Sequence, residues 1–310
     1  MTGNPPLIVI LGPTAVGKTG LAMAMAAALD GEIVGADSRQ TYRYMDIGTA
    51  KPTLEQQRSI PHHLIDIVNP DENLSVAEYQ RLAYAAIDAI HERGRLPLLV
   101  GGTGQYITAV VEGWSIPEVP PNPTLRAELE AYAAVHGAEA LHRRLHSVDP
   151  AAALRTDYRN VRRVVRALEI VMETGQAPDY AKKDPPPYAI LQLGLTMERA
   201  QLNERADRRI DQMMAAGFLD EVRRLLAMGY TRDVPSMSGL GYRELAANLS
   251  GECTLDDAIA ATKRATRDFI RRQQTWFRGH DQGIHWIDVE TTPPSQIIDL
   301  MTRWLAAQEA

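Results

Sequence analysis

Residues 7 to 19 read LIVILGPTAVGKT: an unbroken apolar run from Leu7 to Leu11, a loop bounded by Gly12 and Gly17, then Lys18 and Thr19. A short run rich in isoleucine and valine suits a strand buried on both faces of a parallel sheet. The eight residues after it carry the full phosphate-loop pattern, in the strand-to-helix setting that the pattern demands. Gly12, Pro13, Thr14, Ala15, Val16, Gly17, Lys18 and Thr19 are therefore predicted to hold a phosphate-bearing ligand. Backbone N–H groups and the helix N-terminus supply partial positive charge, Lys18 a full one, and the Thr19 hydroxyl a ligand for Mg²⁺.

The same strand signal returns at residues 32–37, 63–68, 97–102, 190–195 and 284–289. Helical patterns lie between, at 18–29, at 75–93 behind the capping pair Ser75 and Glu78, and at 103–112; longer ones cover 198–228, broken near Gly217, and 255–278. Alternating strands and helices predict an α/β fold, a P-loop core with a mostly parallel sheet and helices on both faces. Proline runs at 117–123 and 185–187 mark the edges of an insertion holding only helical patterns, at 125–136, 138–146 and 160–174. The predicted division is a core from 1–116, an all-helical insertion at 117–189, and the returning core at 190–310.

Composition narrows the class. With 45% hydrophobic and 23% charged residues the 310-residue chain is an ordinary globular protein. Its lone cysteine, Cys253, excludes an intramolecular disulfide and a cysteine-rich zinc site, which suits a reducing cytoplasm. The run at 7–11 is too short for a signal-peptide core or a membrane span, so no membrane association is expected. A net charge of −6 weighs against a nucleic-acid binder, yet the arginines cluster. Across 155–172, Arg155, Arg159, Arg162, Arg163 and Arg166 recur at helical spacing opposite an apolar face, predicting a helix whose arginine stripe asks for a polyanion. In the last long helix Arg264, Arg267, Arg271, Arg272 and Arg278 accompany Trp276 and Phe277, a set suited to backbone phosphates and unpaired bases.

A phosphate loop does not name a reaction. The strand at 32–37 ends in Asp37, which a parallel sheet would carry to its carboxyl edge beside the loop. Asp37, Ser38, Arg39 and Gln40 set an acid, a hydroxyl, a guanidinium and an amide in consecutive positions, able to read a base edge and accept a proton.

These residues resemble those of the tRNA dimethylallyltransferases. The likeness runs through 12–19, the stretch DSRQTYRYMDIGTAKP at 37–52, GGTG at 101–104 with Tyr106, RALE at 166–169, RID at 209–211, GYR at 241–243 and RQQTWFR at 272–278. The resemblance implies transfer of a dimethylallyl group from dimethylallyl diphosphate to N6 of the adenosine 3′-adjacent to the anticodon, with Mg²⁺ as cofactor and the insertion on the anticodon arm. It gives Asp37 the role of general base, Arg209 that of diphosphate ligand, and Thr103 a contact with the target nucleotide. It implies tRNA contacts at Asp37, Ser38, Arg39, Gln40, Thr103, Arg126, Arg162, Arg163, Arg166, Gly241, Tyr242, Arg243, Arg272, Gln273, Trp276 and Arg278. At Arg162 the family carries glutamine, and Gln105 replaces a more usual apolar residue. A cytoplasmic monomer is expected. Three other readings stay open on the residues alone: a small-molecule kinase using ATP, an enzyme that prenylates free adenine nucleotides and needs no arginine faces, and a tRNA-binding protein without catalysis.

Overall fold

The computed structural model describes residues 4–117, 119–175, 183–184, 186–280 and 283–309. Pro185 and Glu118, at the predicted insertion edges, lie outside the described residues. The chain divides into two compact units, one of residues 1–111 and 185–310, the other of residues 112–184. The dividing points are 112 and 184, against the 117 and 189 suggested by the prolines. Within the smaller unit, a bridge between Trp114 and Lys183 and a bond from Asp184 N–H to Gly113 O close its two ends together.

The larger unit is built on β1 (Pro6–Leu11), α1 (Lys18–Ala28), β2 (Gly31–Ala36), α2 (Leu54–Ser59), β3 (His62–His63), α3 (Val76–Glu92), β4 (Leu96–Gly101) and α4 (Gly104–Glu112). The strands pair in parallel in the order β3-β2-β4-β1-β5-β6, where β5 (Ala189–Thr196) and β6 (Ile284–Asp288) come from the later part of the chain. The apolar run of β1 needs no polar alternation because both its faces are covered. Ile8 and Ile10 pack with α1, while Leu7, Val9 and Leu11 pack with Tyr79, Ala83 and Ile87 of α3. All five are essentially without solvent exposure, and each such side chain contributes about 1.5–3 kcal/mol on burial.

In the smaller unit, α5 (Pro123–His136), α6 (Ala138–Val148), α7 (Pro150–Arg155) and α8 (Val161–Thr174) enclose Leu129, Leu141, Leu145, Val164 and Leu168. The arginine stripe read across 155–172 is corrected here. Arg155 ends α7, Arg159 lies in the following turn paired with Asp157, and α8 starts only after Asn160 caps it by accepting from Arg163 N–H. Polar Asp and Asn side chains that bond nearby backbone stop one helix and start the next.

The returning chain supplies α9 (Arg199–Ala215), α10 (Phe218–Ala227), α11 (Tyr242–Leu249), α12 (Leu255–Gly279) and α13 (Pro294–Glu309). Gly217, at φ 99°, makes the predicted break between α9 and α10. The strand expected at 63–68 shrinks to His62–His63, because Leu64 and Asp66 take positive φ and leave the extended region. Asp66 is held there by Lys51 Nζ at 2.6 Å.

Candidate active site

Parallel strands deliver their carboxyl ends to one edge, and the phosphate loop comes directly after β1 at that edge. Ala15 and Gly17 both have positive φ, and Gly17, at 109°, leads directly into α1 without a side-chain cap. The first N–H groups of α1 are thus free to meet an anion. Lys18 Nζ donates to Gly12 O at 2.9 Å and to Pro13 O at 2.8 Å. Burial pushes the Lys18 ammonium down to about 8, against the pull of Asp37 and with the help of Arg209.

Asp37 directly succeeds β2, and its Oδ1 accepts the N–H of Arg39 at 2.9 Å, which fixes the turn. Thr103 lies just past β4, the strand beside β2. Its hydroxyl accepts from Ser38 N–H at 2.9 Å and donates to Ser38 Oγ at 3.2 Å, stitching the two strand ends together next to Asp37. A cleft is lined by Lys18, Thr19, Asp37, Gln40, His62 and Gly101.

From α9, Arg209 reaches the same region: burial lowers its guanidinium, Asp37 opposes that, and Arg205 adds to it. Arg205 lies one helical turn before Arg209, and its Nη2 sits 3.4 Å from where a β-carbon on Gly17 would stand. Sequence reading singled out Arg209 and passed over Arg205. The i, i+4 spacing between them was the signal that both share one face. Lys18, Arg205 and Arg209 gather at the phosphate loop, and Asp37 brings an acid to this positive cluster.

The segment after Asp37 is pinned from behind. Gln40 Nε2 donates to Thr49 O and Ala50 O, and Arg39 reaches Pro235 O and Ser238 Oγ. Glu221, fully buried on α10, accepts the N–H groups of Asp46, Ile47 and Gly48 and the hydroxyl of Tyr242 at 2.7 Å. Gly48 is required by space: a β-carbon there would collide with the Phe218 ring. Tyr242, 1% exposed, is thereby an internal residue. Gly241 N–H donates to Glu244, and Arg243, at the surface, pairs with the same carboxylate.

On α12, Gln273 is buried; its Oε1 accepts from Thr14 N–H at 2.8 Å and its Nε2 donates to Gly102 O at 2.9 Å. Trp276 donates to Thr108 Oγ1 at 3.0 Å and stacks on His280, while Arg272 and Arg278 are exposed. In the smaller unit Arg126 and Arg166 both turn onto Glu169, whose side chain has no exposure, and Arg162 and Arg163 face solvent. Burial alone would raise Glu169; the hydrogen bonds from Arg126, Asn122 N–H and Arg166 overcome it and hold the carboxyl near 2.

Among the described residues no group of three or more His, Cys, Asp or Glu side chains could hold a metal ion. Mg²⁺ does not need one, since it is commonly bound by one or two protein oxygens plus substrate phosphates and water. Thr19 and Asp37, lining one cleft beside the loop, fit that donor set. Among the described residues no helix is long and apolar enough to cross a membrane.

The IPP transferase profile matches residues 40–280. The chain is 50% identical over 290 residues to the tRNA dimethylallyltransferase of Thermomicrobium roseum, covering 93% of this chain and 88% of that one. Against the tRNA dimethylallyltransferase of Roseiflexus castenholzii it is 54% identical over 274 residues, 88% and 90% of the two chains. The crystal structure of the full-length tRNA isopentenylpyrophosphate transferase from Bacillus halodurans aligns with a TM-score of 0.72 at 43% identity, over 98% of this chain and 96% of that one. A eukaryotic dimethylallyltransferase crystallised acting on tRNA aligns with a TM-score of 0.85 at 26% identity, over 98% and 80%.

Proposed function

The chain belongs to the IPP transferase family, and on that premise we propose that it is a tRNA dimethylallyltransferase acting on N6 of the adenosine 3′-adjacent to the anticodon. The observation that carries this reading is Asp37, held by its own turn in a cleft it shares with Lys18 and Thr19 of the phosphate loop and within electrostatic reach of Arg209. The N6 lone pair attacks C1 of the dimethylallyl group as the C1–O bond breaks, diphosphate leaves, and the N6 proton passes to the Asp37 carboxylate. An exocyclic adenine amine is a weak nucleophile, so the rate depends on close positioning and on a base already in place.

Charge grows on the departing diphosphate, and the N–H groups at the start of α1, Lys18, Arg205 and Arg209 are preorganised to meet it. The Thr19 hydroxyl would hold Mg²⁺, which supplies charge neutralisation at the phosphate oxygens. Thr103, bonded to Ser38, supports a contact with the target nucleotide. For the RNA, exposed Arg162, Arg163, Arg272 and Arg278 are the phosphate contacts the arrangement favours. The target base must leave the loop stack to reach Asp37. We take the protein to act in the cytoplasm as a monomer, with the unit of residues 112–184 on the anticodon arm.

The test is direct: incubate the protein with radiolabelled dimethylallyl diphosphate, Mg²⁺ and unmodified tRNA. Label is expected in the RNA, on an adenosine adjacent to the anticodon. Label in free AMP and none in RNA would instead indicate an enzyme that prenylates nucleotides.

A further inference from the structure

His62 stands on the edge strand β3 and lines the same cleft as Lys18, Thr19 and Asp37. Its register partner on β2 is Ile33, which packs with Ala22 and Met25 of α1, so His62 is on the α1 side of the sheet. The next residue, His63, turns the other way, with Nε2 2.6 Å from Glu32 Oε2, as strand alternation requires. The two side chains therefore leave opposite faces of the sheet, although both residues line the cleft.

The tautomer of His62 is set by its one bond. Nδ1 lies 2.7 Å from Ile60 O, and a carbonyl oxygen only accepts, so Nδ1 carries the proton. Nε2 is left with a lone pair. That atom is buried and, among the described residues, has no hydrogen-bond partner. A buried acceptor without a donor opposes folding, so its presence beside the phosphate loop calls for a ligand that brings one.

A diphosphate cannot be that ligand by itself. Its oxygens are acceptors, and a lone pair facing them would be repelled. Lys18 spends two protons on Gly12 O and Pro13 O. Water on a divalent cation meets both demands, because such water donates strongly and Mg²⁺ keeps several waters when it binds phosphates. Direct ligation of Mg²⁺ by the imidazole is disfavoured by that ion's preference for oxygen. We propose that His62 Nε2 accepts a hydrogen bond from a water of the cation's hydration shell, making His62 a positioning residue for the cation and diphosphate. The inference rests on the diphosphate reading given above.

The experiment measures Mn²⁺ binding by electron paramagnetic resonance, with and without inorganic diphosphate, in the full-length protein. His62→Asn places an amide near the position of Nδ1, keeping the tether to Ile60 and losing the distal acceptor. His62→Gln reaches the position of Nε2 with its carbonyl oxygen and gives up the tether. Diphosphate-dependent Mn²⁺ affinity is expected to fall about tenfold in His62→Asn, the usual scale for an outer-shell partner, and to stay within about threefold of wild type in His62→Gln. Affinity for tRNA should be unchanged in both. The opposite order, or a His62→Asn variant that binds Mn²⁺ as the wild type does, overturns the role of His62 while leaving the diphosphate site standing. A wild type without diphosphate-dependent Mn²⁺ binding overturns the metal reading and this role with it.

Discussion

Oε1 of Gln273 accepts the backbone N–H of Thr14 at 2.8 Å, joining the arginine-rich helix α12 to the phosphate loop across 259 positions of sequence. With its other end on Gly102 O, this one amide fixes the spacing between the loop and the end of β4. Removing it strands the part-buried N–H of Thr14, at about 1 kcal/mol, and the buried carbonyl of Gly102, at about 1–3 kcal/mol. Gln273→Ala is therefore expected to lower stability by about 2–4 kcal/mol in urea unfolding. It should also raise KM for the diphosphate donor, with tRNA Kd moving less than about twofold. A shift in tRNA Kd with donor KM unchanged would assign Gln273 to the RNA.

Lys18 gives a pH dependence whose sign can be worked out. Burial brings the free protein's ammonium down to about 8, and a bound diphosphate must raise it again by opposite charge. Above pH 8 the free protein has largely lost this proton and the complex retains it. Donor binding at pH 9 is then expected to take up close to one proton, and affinity to fall as pH rises through 8. The donor's own phosphates are already ionised there. Calorimetry in buffers of different ionisation enthalpy reads the uptake directly. It should vanish in Lys18→Met, and uptake that persists in that variant would place the proton elsewhere.

The arginines of the smaller unit divide by their neighbours. Arg163 is exposed, so Arg163→Ala is expected to weaken tRNA binding and to reduce the slope of log K against log salt by about one. Arg166 and Arg126 are instead tied to buried Glu169. Glu169→Gln should loosen α5 and α8, seen as faster hydrogen exchange there, because a buried pair broken on one side costs several kcal/mol at most. With the Glu169 carboxyl held near 2, its contribution is full above the ordinary value of 4.5 and is lost as pH falls toward 2. Arg166→Ala that changed only RNA affinity, with exchange in α8 unaltered, would show the ion pair to be dispensable.

The strands were legible in the sequence where burial on both faces leaves nearly pure apolar runs, as in β1 and β4. Where the backbone leaves the extended region the apolar signal misled, as at Leu64 and Asp66. Helix α2 opens with a reciprocal capping box between Thr53 and Gln56 that could have been read, but it contains no buried residue to mark a packed face. Buried ties are the least legible. Gln273 in an arginine-rich helix and Glu221 in a charged one look like surface residues until distant segments bring them Thr14, Gly102 and the N–H groups of 46–48. Asp37 was legible because its place is set by topology alone: a residue just past a parallel strand, beside the strand end that carries Thr103.

Asp37 is also where the mechanism is most exposed to test. As the group that takes the N6 proton, its replacement by asparagine should cost about 10²–10⁴ in turnover, the range of general acid-base catalysis. The amide keeps the size and one acceptor oxygen, so the bond to Arg39 N–H that fixes the turn can persist. Affinity for tRNA should then change little. Two other outcomes carry distinct meanings. Loss of tRNA affinity with near-normal turnover at saturation would make Asp37 a recognition residue and send the search for the base elsewhere. A raised Mg²⁺ requirement together with the lost rate would show the carboxylate serving the cation as well as the proton, as its place in one cleft with Thr19 allows. Single-turnover rates at saturating tRNA, taken across a range of Mg²⁺, separate the three, because only the proton-transfer role lowers the rate while leaving both binding constants in place.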